Sequence, residues 1–132
     1  MILHLIRGLP GSVKSTFAHS LGCVHLEYDM LKIKDGVYNH KANPNLCKIA
    51  VLETTEYFLS KGVDVAVSNV FHTKKSIENF LTLAKKHGAT VRIVHMTKYY
   101  GSIHNVPPVA IGGFKKNWEK IEGEVALPID NQ

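Results

Sequence analysis

Cysteine is scarce in this chain of 132 residues: only Cys23 and Cys47 are present, with no CxxC pair and no clustered histidine at metal-ligand spacing. That excludes a disulfide scaffold and a transition-metal cluster, and the expectation is two reduced thiols in a cytoplasmic protein. No apolar run approaches the length of a membrane span, so no transmembrane helix and no membrane partner is expected. The opening MILHLI has no basic leader and is interrupted by Gly8 and Pro10, so it reads as a strand, not a signal peptide. Repeats and low-complexity tracts are lacking too. Arginine occurs only as Arg7 and Arg92, so the net charge of +5 is mostly lysine. Such a charge suits a phosphorylated ligand or nucleic acid, and it suits plain solubility equally well.

A hydrophobic share of 45% against 20% charged is that of a folded globular protein, and the length fits one domain. Apolar runs at Ile2–Ile6, Cys23–Leu26, Val63–Ser68 and Thr90–His95 predict strands. Helices are expected over Lys14–Leu21, Asn43–Lys61, from Thr73 to His87 and, more weakly, over Val109–Glu122. Gly22, Gly62 and Gly88 are placed to stop the first three. Residues 31–42 show no period and read as a loop or broken helix. The boundaries drawn are a domain over 1–122 and a loose tail over 123–132. Alternating strands and helices imply right-handed crossovers, hence a three-layer α/β fold: a parallel sheet with helices on both faces. Ligands in such sheets sit at the carboxyl ends of the strands. Three polar clusters fall there: the loop after Gly8, Glu27 to Asp29, and Ser68-Asn69.

The loop reads GLPGSVKST. It follows the phosphate-binding pattern GxxxxGK(S/T) between a strand and a helix, except that Val13 stands where the pattern has glycine. In such a loop successive backbone N–H groups point at the phosphates, the lysine reaches the β- and γ-phosphates, and the hydroxyl joins the magnesium shell. The nucleotide-binding residues are therefore expected to be Gly8, Gly11, Ser12, Val13, Lys14, Ser15 and Thr16, with Ser15 on the metal. Val13 is expected to take backbone angles that a β-carbon disfavours, at a cost of about 1–3 kcal/mol. Crowding and a turned N–H would weaken binding on the order of a hundred- to ten-thousand-fold.

Together RGLPGSVKST, HLEYDM, VAVSN, TKYYGSIHNVP and NWEKI resemble the small P-loop kinases of the phage polynucleotide 5′-kinase type, a group that includes zeta toxins. The resemblance implies a P-loop kinase fold, ATP or GTP with Mg as cofactors, and transfer of a γ-phosphoryl to a hydroxyl. The acceptor would be a nucleic-acid 5′ end or a small molecule. It implies that Asp29 is the catalytic base beside Lys14, and that Ser68 stands where relatives carry a magnesium-holding aspartate. The stretch AIGGFKKNWEK matches a lid that usually supplies an arginine, and holds none. Val13, Ser68 and the arginine-free lid each weaken a different part of that machine. The alternative is a degenerate kinase that grips a phosphorylated ligand, nucleic acid or protein. Tyr99, Tyr100, His104 and Asn105 read as packing or as a base-stacking surface.

Overall fold

The computed structural model describes residues 1–10, 12–28, 33–34, 37–38, 44–98 and 108–127, with backbone alone at 33–34, 37–38, 44 and 108–111. Strand β1 (Ile2–Gly8) leads through the loop into helix α1 (Lys14–Ser20), and β2 (Val24–Glu27) follows. A short hairpin, β3 (Ile33–Lys34) and β4 (Val37–Tyr38), precedes α2 (Pro44–Ser60) and β5 (Val65–Asn69). A 3₁₀ turn (Lys75–Ile77) runs into α3 (Glu78–His87), then β6 (Thr90–Met96), α4 (Pro108–Lys116) and β7 (Val125–Leu127). The main sheet has five strands in the order β2-β5-β1-β6-β7, and every pairing in it is parallel.

Period-two alternation along the central strands sorts side chains between two cores. Leu3, Leu5, Val65 and Val67 face α2 and α3, where they pack with Val51, Leu59, Phe80 and Ala84. Ile6, Ala66 and Val94 face the other way, onto Ala18 of α1. The expected three-layer parallel α/β fold is therefore the observed one. Gly88 ends α3 at φ 68°, and the following Ala89 N–H bonds the Ala84 carbonyl at 2.8 Å. This is the glycine stop read from the sequence, completed by a backbone cap. Thr73 acts on the 3₁₀ turn: its Oγ1 accepts the Ser76 N–H at 3.2 Å. Both cysteines are free thiols.

Three expectations need correction. Within 31–42, Ile33 pairs with Tyr38 and Lys34 with Val37, two antiparallel strands too short to show a period. The last helix stops at Lys116, not 122, because the chain beyond it is claimed by Arg7. Val125–Leu127 is not a loose tail: it pairs with Val94–Met96 as an edge strand, and the Leu127 carbonyl accepts the Thr97 N–H at 2.6 Å.

Three histidines, His4 buried and His25 and His95 half-buried, are expected to make the fold acid-sensitive. Burial lowers the pKa of His4, with Arg92 adding to the effect and Asp64 opposing it. Burial does the same for His25, opposed by Glu27 and assisted by His19, and for His95, opposed by Glu124 and assisted by Arg7. Among the described residues the Nδ1 atoms of His4 and His25 have no hydrogen-bond partner, so a proton there would bury a donor without an acceptor. Each folded pKa lies below the ordinary 6.5, so the unfolded chain binds more protons in that window. Stability is then full above pH 6.5 and falls as pH drops toward the folded values. The expected result is a melting temperature that declines between pH 7 and pH 5. A melting temperature flat or rising over that interval would contradict this account.

Candidate functional site

The loop lies at the carboxyl end of β1, the middle strand of the sheet. Gly8 is required by space: a Cβ there would stand 2.3 Å from Ser12 Oγ and 2.9 Å from the Met96 carbonyl. Its N–H bonds the Val70 carbonyl at 3.3 Å, and Ser12 N–H closes a turn onto the Leu9 carbonyl at 3.0 Å. Ser12 is buried and Thr16 is exposed. Val13 adopts φ 56°, ψ 33°, the left-handed region, as its place in the motif led one to expect. Its carbonyl accepts the Phe17 N–H at 3.2 Å, so α1 starts from it. Val13 is 43% exposed, so little packing offsets the backbone strain. Lys14 folds back over the loop, with Nζ 3.0 Å from the Leu9 carbonyl and 3.5 Å from Ser12 Oγ.

Beside the loop, β2 and β5 bring further polar groups together. Glu27 pairs in register with Ser68, and His25 with Ala66, so alternation turns His25, Glu27 and Ser68 toward α1. Ser15 Oγ donates to Glu27 Oε2 at 2.6 Å, and Ser68 Oγ donates to the same oxygen at 3.1 Å. His25 Nε2 lies 2.7 Å from Ser68 Oγ. Since Ser68 gives its proton to Glu27, the neutral imidazole donates through Nε2 and leaves Nδ1 as the bare acceptor. Burial disfavours the imidazolium, so the 3.8 Å approach of His25 to Glu27 is not a strong ion pair. The ring of His19 meets that of His25 edge-on at 4.8 Å.

Of the residues read as site candidates, Gly8, Ser12, Val13, Lys14 and Ser15 thus share one loop, and Ser15 meets Ser68 through Glu27. Gly11 and Asp29 lie outside the described residues, as do Tyr99, Tyr100, His104 and Asn105. Glu27 had been seen only as part of a polar cluster. Its meeting with Ser15 and Ser68 depends on strand register, which no local pattern displays. The lid stretch carries Lys115 and Lys116 in the last turn of α4. Neither arginine substitutes for the missing fork. Arg7 is fully buried, and Arg92 lies over the Phe17 ring at 5.7 Å.

A parallel sheet whose middle strand feeds a glycine-lysine-serine loop into a helix defines a P-loop domain of the kinase-like, nucleotide-binding class. The family model described as AAA domain matches residues 3–98, most of the chain. The chain belongs to that family. Its fold is similar to a sugar kinase from Janibacter sp. HTCC2649, with TM-score 0.67 and 16% identity over 96% of this chain and 84% of that one. It is similar to Chaetomium thermophilum Kti12 in complex with ADP-AlF3, with TM-score 0.71 and 14% identity over 98% and 90%. A chain of the Pnkp1/Rnl/Hen1 complex aligns with TM-score 0.60 and 16% identity, over 85% of this chain but only 38% of that one. At these identities the likeness is one of fold. No curated protein matches the sequence significantly.

Proposed function

We propose that this chain binds ATP or GTP in the loop from Gly8 to Thr16 and transfers its γ-phosphoryl to a hydroxyl. The observation that carries the reading is the left-handed backbone at Val13. Val13 holds the left-handed angle that a glycine takes freely, which supports a loop whose backbone N–H groups would face phosphate. Lys14 would neutralise phosphate oxygens. The oxygens of Ser15, Ser68 and Glu27 are a donor set that fits Mg. When bound with nucleotide, Mg would offset charge on the transferring group. Asp29 is proposed as the base that takes the acceptor's proton.

The acceptor is proposed to be a nucleic-acid 5′ end or a small-molecule hydroxyl. The neighbours support both, since one is a sugar kinase and another belongs to an RNA repair complex. A second reading is a degenerate kinase that binds a phosphorylated ligand without turnover. It is favoured by the neutral Ser68 at the end of β5 and by two arginines engaged away from the loop.

Because the left-handed angle at Val13 is part of the fold, its strain weighs on folding more than on binding. Val13→Gly is therefore expected to raise the unfolding free energy by on the order of 1 kcal/mol. It should tighten nucleotide binding by only about tenfold, through removal of a side chain beside the phosphates. Calorimetric titration of Mg-ATP and Mg-GTP into both chains checks this, with urea unfolding alongside. Heat from neither chain would sink the nucleotide reading. Binding without phosphoryl transfer to any offered hydroxyl would favour the second reading.

A further inference from the structure

We infer that Glu27, on β2, is the carboxylate that anchors the nucleotide's divalent cation, a role that the end of β5 leaves to the uncharged Ser68. The inference rests on the nucleotide reading above and adds to it the residue on which cation dependence turns. Serine at position 68 offers only a neutral oxygen, whereas a magnesium site built with nucleotide phosphates ordinarily takes one or two carboxylates from the protein. The strand register supplies one from next door. Glu27 is the residue paired with Ser68, and alternation turns both toward α1.

The hydrogen bonds give the arrangement its direction. A serine hydroxyl has one proton and two lone-pair sites. Ser15 commits its proton to Glu27 Oε2 at 2.6 Å, which leaves its lone pairs for a cation. Ser68 commits its proton to the same oxygen at 3.1 Å, while His25 donates to Ser68 at 2.7 Å. His25 is therefore a positioning residue: its imidazole orients the Ser68 hydroxyl, and that hydroxyl helps to hold Glu27. The glutamate side chain is 19% exposed, so it is held by the protein yet open to a ligand. A residue serving only to tie α1 to β2 would do as well uncharged. A cation anchor would not.

The test separates these roles. ATP affinity is measured by calorimetry in excess Mg²⁺ and in EDTA, for the unchanged chain, Glu27→Gln and Glu27→Gln/Ser68→Asp, with thermal melts as a check on folding. Glutamine keeps an oxygen for Ser15 and Ser68 and loses only the charge. The unchanged chain should bind ATP more tightly with Mg²⁺ by about tenfold or more, the scale of one charge-assisted contact. In Glu27→Gln that increment should shrink to near nothing, while binding in EDTA holds or tightens, because a negative charge beside the phosphates is gone. Ser68→Asp added to it should restore the increment by supplying a carboxylate from β5 instead. A full Mg²⁺ increment in Glu27→Gln overturns the inference and leaves the nucleotide reading standing. No ATP binding by the unchanged chain in either condition overturns both.

Discussion

Arg7→Ala is expected to cost about 3–5 kcal/mol of unfolding free energy, the scale seen when one partner of a buried ion pair is removed. Arg7 is the largest fully buried side chain among the described residues. Its Nε donates to the Phe71 carbonyl at 2.9 Å, its Nη1 to Glu124 at 2.5 Å and its Nη2 to the Glu119 carbonyl at 2.7 Å. The guanidinium lies 4.3 Å over the Trp118 ring, which in turn stacks on His95 at 4.7 Å. Burial pulls the arginine pKa down and Glu124 pushes it back, so the charge is retained because its partner is there. Alanine would strand Glu124, leave two carbonyls without their donor and release the segment that leads into β7. Urea unfolding followed by the fluorescence of Trp118, the sole tryptophan, reads the loss where it arises. Arg7→Met combined with Glu124→Leu should recover much of the stability, since apolar replacement of both partners removes the stranded charge. A single-variant loss below about 1 kcal/mol would mean that the network contributes little.

The same residue shows why some of the fold could be read in advance and some could not. β1, β5, β6 and the helices between them declare themselves locally, through apolar runs and glycine stops, and the loop declares itself through Gly8, Lys14 and Ser15. The left-handed angle at Val13 was also legible, because the motif's geometry demands it whatever residue stands there. Nothing local marks the role of Arg7, whose partners Glu119 and Glu124 lie more than a hundred residues away along the chain. Those partners stop α4 early and carry Val125, 49% exposed, to the sheet edge as β7. Glu27 was hidden for the same reason, since its two hydroxyl donors are 12 and 41 residues distant. Local patterning states which element a residue joins, and register decides what it meets.

Lys14→Met is expected to weaken nucleotide binding by about ten- to a hundredfold, the loss of a charge-assisted hydrogen bond to phosphate. Any phosphoryl transfer should fall further. The transferring group spreads negative charge over its oxygens in the transition state, so a cation placed there acts more strongly on the rate than on ground-state binding. Methionine retains much of the aliphatic stem and removes only the ammonium, whose contacts in the free protein include the Leu9 carbonyl at 3.0 Å. Folding stability should therefore change by no more than about 1 kcal/mol, one ordinary hydrogen bond. That asymmetry distinguishes Lys14 from Arg7: Arg7 holds the domain, whereas Lys14 is proposed to hold the ligand. Titration of Mg-ATP into Lys14→Met, beside its thermal melt, measures both quantities. If affinity and melting temperature both stay unchanged, the loop is not the binding site and the basic charge serves some other surface. If affinity falls while the fold stands and no hydroxyl is phosphorylated even by the unchanged chain, the loop is a phosphate grip that no longer turns over.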